Sequence, residues 1–270
     1  MSFISTDFVF NGVASSTYGV KLVRTGSGII GTPIAGGVSI NEEYVAYRDK
    51  PWFYKTQMQP MSFQLMFSIE DVNAWTPTIR KNVFEWLFSP RTYVDFKSAD
   101  DYDSVGMHYE KLYKVIFTSP LEFNAINLTN GYFTLTAKSH PFAYTEVTTQ
   151  NETISSSPTQ ITINNPTNVR GADNTFYYYP TLNITMVSGT TFKMVNTSDS
   201  NREFEFTGLE TTEVLSVNNA LKYITTDEAD TNRIADLTDK QWFRLVQGNN
   251  VINVYADCTL QIVSQFPIML

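Results

Sequence analysis

A chain of 270 residues holds enough apolar material for two domains of ordinary size, and its single cysteine, Cys258, excludes an intrachain disulfide and any multi-cysteine zinc site. Only 17% of residues are charged, and Thr, Asn and Ser stand in their place, a composition suited to β-rich surfaces. Nineteen Lys and Arg against 27 Asp and Glu leave a net charge of −8 with no basic run, which excludes the electrostatic footprint of a protein that grips duplex nucleic acid.

The opening, Met1-Ser2-Phe3-Ile4-Ser5-Thr6-Asp7, has neither the basic start nor the apolar stretch of a secretory signal, and nothing later approaches the ~18 apolar residues of a membrane span. The expectation is a protein made soluble inside a cell, with no membrane insertion. Phe8-Val9-Phe10-Asn11-Gly12 alternates into an Asn-Gly turn and Tyr18-Gly19-Val20-Lys21-Leu22-Val23 resumes the alternation, which predicts a β-hairpin. Gly26-Ser27-Gly28-Ile29-Ile30-Gly31 has the spacing of a dinucleotide-binding loop. Pro33, Gly36 and Gly37 forbid the helix whose N-terminal amides such a loop needs, so a flexible loop is expected.

The clearest period-two pattern lies at Ser62–Ile69, where Phe63, Leu65, Phe67 and Ile69 share one face of a strand. A helix follows: Thr76 is its N-cap, Pro77 its first residue, Ile79, Val83, Trp86 and Leu87 its apolar stripe, and Ser89-Pro90 its stop. Phe84 and Phe88 widen that stripe and predict cover on more than one side, with packing on its own sheet favoured over a subunit contact. Strands are expected at Thr92–Phe96, Lys111–Phe117 and Tyr132–Ala137. Between Thr145 and Thr159, eight of fifteen residues are Thr or Ser, the composition of a connector. Beyond it, short strands recur at Gln160–Ile163, Leu182–Met186, Phe192–Val195, Glu203–Phe206, Glu213–Val217, Trp242–Leu245, Val251–Tyr255 and Thr259–Val263, the rhythm of an antiparallel sandwich.

Residues that carry chemistry are sparse. His108 and His140 have no second metal-type ligand at helix or hairpin spacing, and no Gly-x-Ser-x-Gly elbow is present. Asp100, Asp101, Asp103 and Gly106 resemble the start of a calcium loop, but Leu112 occupies the position of the closing carboxylate, so a solvated hairpin loop is expected. Asp227, Glu228 and Asp230 predict an exposed turn. Cys258 is expected in the core. No catalytic residue, metal ligand or cofactor site is assigned, and no acid/base pair is selected for a glycosidase.

Two aromatic clusters remain. Tyr44, Tyr47, Trp52, Phe53 and Tyr54 lie in an extended hairpin region and are the candidates for an oligomer interface, because clustered Tyr and Trp anchor contacts well. Tyr177, Tyr178 and Tyr179 place rings on both faces of a strand and are candidates for a glycan or partner surface.

Phe8-Val9-Phe10-Asn11-Gly12 with Ser15 and Tyr18-Gly19-Val20 is similar to the start of the distal tail proteins of siphophages. Pro180–Ile184, Phe204–Leu209, Glu213–Asn219 and Trp242–Asn250 occur in that family's order, and the final Leu-x-x-Gly-x-Asn turn with its Val251, Val254 and Ile262 strands resembles the end of the family's galectin-like sandwich. The resemblance implies a mainly β chain. Residues 1–144 would form a ring-building β-sandwich-like domain with one helix and an extended hairpin, 145–159 a linker, and 160–270 a galectin-like antiparallel β-sandwich. It further implies a non-enzymatic homo-hexamer at the distal end of the virion tail, assembled in the bacterial host cytoplasm. Its neighbours would be the tail tube, the tail-associated hub and receptor-binding or side-fibre proteins. The rival expectation is a carbohydrate-binding module or adhesin that recognises cell-wall glycan through the tyrosine triplet.

Overall fold

The computed structural model describes residues 4–24, 36–69, 76–98, 112–119, 123–125, 131–155, 157–170 and 175–269. The glycine loop from 26 to 31, the acidic loop from 100 to 106 and His108 lie outside them. The chain divides into a first unit over Met1–Tyr144 and a second over Thr145–Ile268.

The first unit contains β1 (Ile4–Thr6), β2 (Phe8–Phe10), β3 (Val13–Ala14), β4 (Val20–Arg24), β5 (Val38–Glu43), β6 (Trp52–Met58), β7 (Met61–Ile69), α1 (Pro77–Phe88), β8 (Val94–Ser98), β9 (Leu112–Phe117), β10 (Phe123–Ala125), β11 (Gly131–Ser139) and β12 (Ala143–Tyr144). Its main sheet runs in the order β1-β4-β7-β11-β9-β8-β2-β3, with β10 on β11 and β12 on β9. The hairpin expected at the start is shorter than predicted. Asn11 and Gly12 both take left-handed backbone (φ 50° and 76°), a type I′ turn that closes β2 directly onto β3, Val9 opposite Ala14 and Phe10 opposite Val13. Ser15 accepts a hydrogen bond from the Phe8 amide at 3.1 Å, and Gly19 at φ 63° ends the short helical turn. Val20–Arg24 then pairs elsewhere in the sheet, with β1 and β7.

Phe67 on β7 lies opposite Phe133 on β11, ring to ring at 5.0 Å, and both are buried. The predicted face of β7 is present: Phe67 and Ile69 are buried, Phe63 and Leu65 half-buried. Thr76 accepts from the Ile79 amide at 3.3 Å, and Ser89 caps α1 from the other end. Val83, Trp86 and Leu87 form its buried stripe, and the Trp86 ring stacks on Phe8 at 5.6 Å. Phe84, expected to find cover as well, is 44% exposed.

The second unit holds β13 (Thr148–Ile154), β14 (Thr159–Asn165), β15 (Thr181–Asn196), β16 (Arg202–Thr207), β17 (Val214–Asn218), β18 (Tyr223–Thr226) and β19 (Gly248–Ser264). Two pairs of predicted short strands are in fact single long ones, β15 and β19, which pair from Thr181 opposite Val263 to Asn196 opposite Ile252 with the ladder interrupted between Ser188 and Lys193. Register shifts between Met186 and Lys193 bend the ribbon, and Gly189, at φ 81°, takes backbone that a side chain would disfavour. One half of the ribbon carries β13, β17 and β18, the other β14 and β16. The curled sheet encloses one core: Leu182 and Ile184 from one half meet Met194, Phe204 and Ile252 from the other, with Cys258 among them.

Two predictions fail here. The Thr/Ser-rich segment read as a connector is a strand, with Thr148–Ile154 paired to Ser264–Cys258. Trp242–Leu245 is not a strand; only Leu245 bridges, to Tyr178. The unit's chain also enters and leaves side by side, since the Thr145 amide donates to the Phe266 carbonyl at 2.9 Å.

Candidate assembly interface

The interface candidates of the first unit stand on an arm. β5 and β6 pair only with each other, Val38 opposite Met58 through Ile40 opposite Thr56, and a bulge between Asn41 and Glu42 changes the register before Glu43 meets Trp52. Gly36 anchors the arm at its base, its amide donating to the Pro141 carbonyl at 2.7 Å, while the Gln59 amide donates to Gly37 at 2.7 Å. A Cβ at position 36 would stand 1.8 Å from the Gln59 carbonyl oxygen, so only glycine permits that approach.

Every residue of β5 is exposed. The candidates are exposed too: Tyr44 (75%), Tyr47 (106%), Trp52 (51%), Phe53 (62%) and Tyr54 (56%). Val38 and Ile40, which composition did not single out, join them at 58% and 61%; their alternation in Val38-Ser39-Ile40 was the available signal. Tyr47 takes left-handed backbone (φ 68°), uncommon for an aromatic residue, and so turns its ring fully into solvent at the tip. Arg48 lays its guanidinium 4.3 Å from the Trp52 ring centre, and the Tyr54 hydroxyl donates to Glu43 Oε2 at 2.6 Å, a bond that pushes the tyrosine pKa up. An isolated two-stranded hairpin is marginal in water, and this one carries a run of exposed aromatic and β-branched side chains.

The tyrosine triplet is used differently. Tyr178 packs its ring 4.5 Å from Phe266, and its hydroxyl accepts from the Gln265 amide at 2.8 Å. Tyr177 lies beneath Arg244, whose guanidinium is 3.6 Å from the ring centre and is itself held by Asp199 at 2.7 and 3.1 Å. All three tyrosines are half-buried. The structure therefore does not gather them into an open platform. The Arg244–Asp199 pair that covers one ring was invisible in the sequence because its members lie 45 positions apart.

Cys258 sits fully buried, its thiol pushed up to about 11 by burial and by Asp257, which leaves it protonated and inert. His140 closes β11 beside Tyr93 and Tyr144. Asp227, Glu228 and Asp230 occupy a turn in which Asp227 accepts from the Val214 amide at 2.8 Å. Among the described residues no group of three or more His, Cys, Asp or Glu is placed to hold a metal, and no helix is long and apolar enough to cross a membrane.

Known proteins share this architecture. Residues 3–140 match the family model of a phage tail protein N-terminal domain, and residues 142–264 that of a phage tail C-terminal domain. The SPbeta prophage-derived uncharacterized protein YomH of Bacillus subtilis strain 168 is 24% identical over 261 residues, covering 94% of each chain. Dit (gp 19.1) of phage SPP1, from the hub adsorption apparatus of phages that infect Gram-positive bacteria, superposes with a TM-score of 0.59 at 13% identity, over 98% of this chain and all of its own. A chain of the phage P2 baseplate, in its activated conformation with Ca, gives a TM-score of 0.51 at 8% identity over 98% of both. At these identities the likeness is one of fold.

Proposed function

This chain belongs to a family of phage tail proteins, and on that premise we propose that it is the distal tail protein of its virion, a non-enzymatic hexameric ring that joins the tail tube to the hub and to the receptor-binding or fibre apparatus. The observation that carries this reading is the β5–β6 arm. A hairpin that presents Val38, Ile40, Tyr44, Tyr47, Trp52, Phe53 and Tyr54 to water leaves these apolar surfaces uncovered among the described residues, apart from the Arg48 stack on Trp52, and a neighbouring copy would cover them. An arm that reaches out of one subunit onto a different surface of the next makes a head-to-tail contact, the type that closes into a ring when the rotation divides the circle evenly. The net charge of −8 suits a passage through which DNA must slide without being held, because phosphates gain no counterion release from such a wall.

The fold of the hub protein of phage SPP1 supports the same role. The rival, a glycan-binding module acting through Tyr177, Tyr178 and Tyr179, loses support because Tyr178 is committed to the core and Tyr177 lies under Arg244. Light scattering and negative-stain images of the purified protein test the proposal. A six-fold ring with an open centre, lost when Trp52, Phe53 and Tyr54 are all replaced by Ser, is the expected result. A monomer at high concentration that remains one when mixed with its tail tube protein refutes it.

A further inference from the structure

The second unit carries a built polar cleft that ring formation leaves unexplained. In the half-sheet β14-β19-β15-β16, alternate side chains point into the core, and the intervening ones form an outer face. Strand register sets Gln160, Asn253, Val195 and Glu203 in one row across that face, and Tyr255, Lys193 and Glu205 in the next. A cleft of about 560 Å³ opens on Asn253, Val195, Glu203, Tyr255, Lys193 and Glu205 of these rows, lined also by Thr191 and Asn201. That volume lies in the range of small-ligand sites, ~300–1,000 Å³.

Several of its polar groups are already oriented. Lys193 donates to Glu203 Oε2 at 2.8 Å, and Asn253 Oδ1 accepts at 3.3 Å from Gln160, which stands outside the cleft lining. Each partner keeps spare capacity: a carboxylate accepts at two oxygens, an ammonium donates three times, and an amide does both. Beside them Tyr255 is 36% exposed, and with the half-buried Val195 it supplies the apolar surface of this mainly polar face.

We propose that this cleft binds a neutral oligosaccharide of hexose or N-acetylhexosamine units. A pyranose ring has an apolar C–H face and a rim of paired hydroxyls. Tyr255 offers a surface for the first, and Lys193, Glu203, Glu205 and Asn253 offer planar or multivalent hydrogen-bonding groups for the second. Two carboxylates against one ammonium leave the cleft acidic, so it repels phosphate-rich or uronic polymers and selects uncharged sugars. The inference stands on the second unit alone and is independent of ring formation.

Calorimetric titration of the full-length protein tests it, with a β-linked glucose tetramer, an N-acetylglucosamine tetramer, a galactose tetramer and poly(glycerol phosphate) as probes. At least one neutral tetramer binds and the phosphate polymer does not. Tyr255→Ala and Glu205→Gln each weaken that binding by about tenfold, the size of one lost aromatic or polar contact, while Tyr177→Ala leaves it unchanged. Glu205→Gln keeps shape and fold, so it decides the matter if Tyr255→Ala unfolds. The proposal falls if no neutral tetramer binds at millimolar concentration, if only poly(glycerol phosphate) binds, or if the folded variants bind as well as the parent.

Discussion

The indole N–H of Trp86 donates to the carbonyl oxygen of Phe10 at 2.9 Å, which ties α1 to the residue that leads into the Asn11-Gly12 turn. Rings surround the bond: Phe8 lies 5.6 Å and Tyr18 4.9 Å from the indole. Trp86→Ala removes both the packing and the bond and is expected to cost about 3–5 kcal/mol. Trp86→Phe keeps much of the ring volume but loses the hydrogen bond to the Phe10 carbonyl, at about 0.5–1.5 kcal/mol. Urea unfolding of the two variants separates packing from hydrogen bonding.

On the arm, stability and assembly part company. Trp52 is half-exposed and contacts Arg48 only by a cation–π stack, a type of contact worth ~0.5–1 kcal/mol at exposed sites. Trp52→Ala therefore leaves the unfolding midpoint almost unmoved. If the arm seats in a neighbouring copy, the same change costs about 2 kcal/mol or more in association, as buried aromatic anchors do. Sedimentation over a concentration series reads the second effect without the first.

Glu213, fully buried, receives Arg233 through both oxygens at 2.8 Å, the Glu210 amide at 2.8 Å and the Thr226 hydroxyl at 2.5 Å, while Arg233 also reaches Asp236 at 3.0 Å. Arg233→Met strands a buried carboxylate and is expected to destabilise by about 3–5 kcal/mol, and adding Glu213→Leu restores part of the loss. Burial alone raises the Glu213 pKa. The hydrogen bonds from Arg233, Glu210 and Thr226 outweigh burial and hold it below the usual value. A depressed carboxylate contributes in full above its unfolded pKa, about 4.3, and that contribution is lost as pH falls through the folded value. Guanidinium unfolding between roughly pH 6 and pH 3 shows a steeper loss in the parent than in the double variant.

His140 responds at milder pH. Burial, and then the charge of Lys114, lower its pKa, and its Nδ1 lies 2.7 Å from the Tyr144 hydroxyl. Asp95 also faces this group of residues, already paired with Lys114. A lowered imidazole pKa means that the unfolded chain takes up its proton first. Stability is complete above about pH 6.5 and declines as pH falls from there toward the folded value. His140→Phe flattens that slope in unfolding curves taken between roughly pH 7.5 and pH 5.

Local patterns were readable from the residues alone. The alternation from Phe63 to Ile69 and the cap, stripe and stop of α1 depend on neighbours within one or two turns, and the structure reproduces them. Longer pairings were not. Val187-Ser188-Gly189-Thr190 reads as a turn, yet β15 continues through it because β19 bends alongside. Thr148–Ile154 reads as a connector, yet it pairs with a strand that begins about a hundred residues later. The same limit applies to the surfaces. Exposed aromatics on the arm were visible as composition, whereas the cover over Tyr177 and the rows of Gln160, Asn253 and Glu203 exist only once distant strands are set in register.

The hydrogen bond from Thr145 to Phe266 makes the second unit a cassette with a single doorway. A segment whose two ends meet can be lengthened, exchanged or grafted onto another chain without rerouting the host fold. If the cleft binds sugar as proposed, its rows can therefore change without any change in the arm, and a phage lineage can alter one while keeping the other.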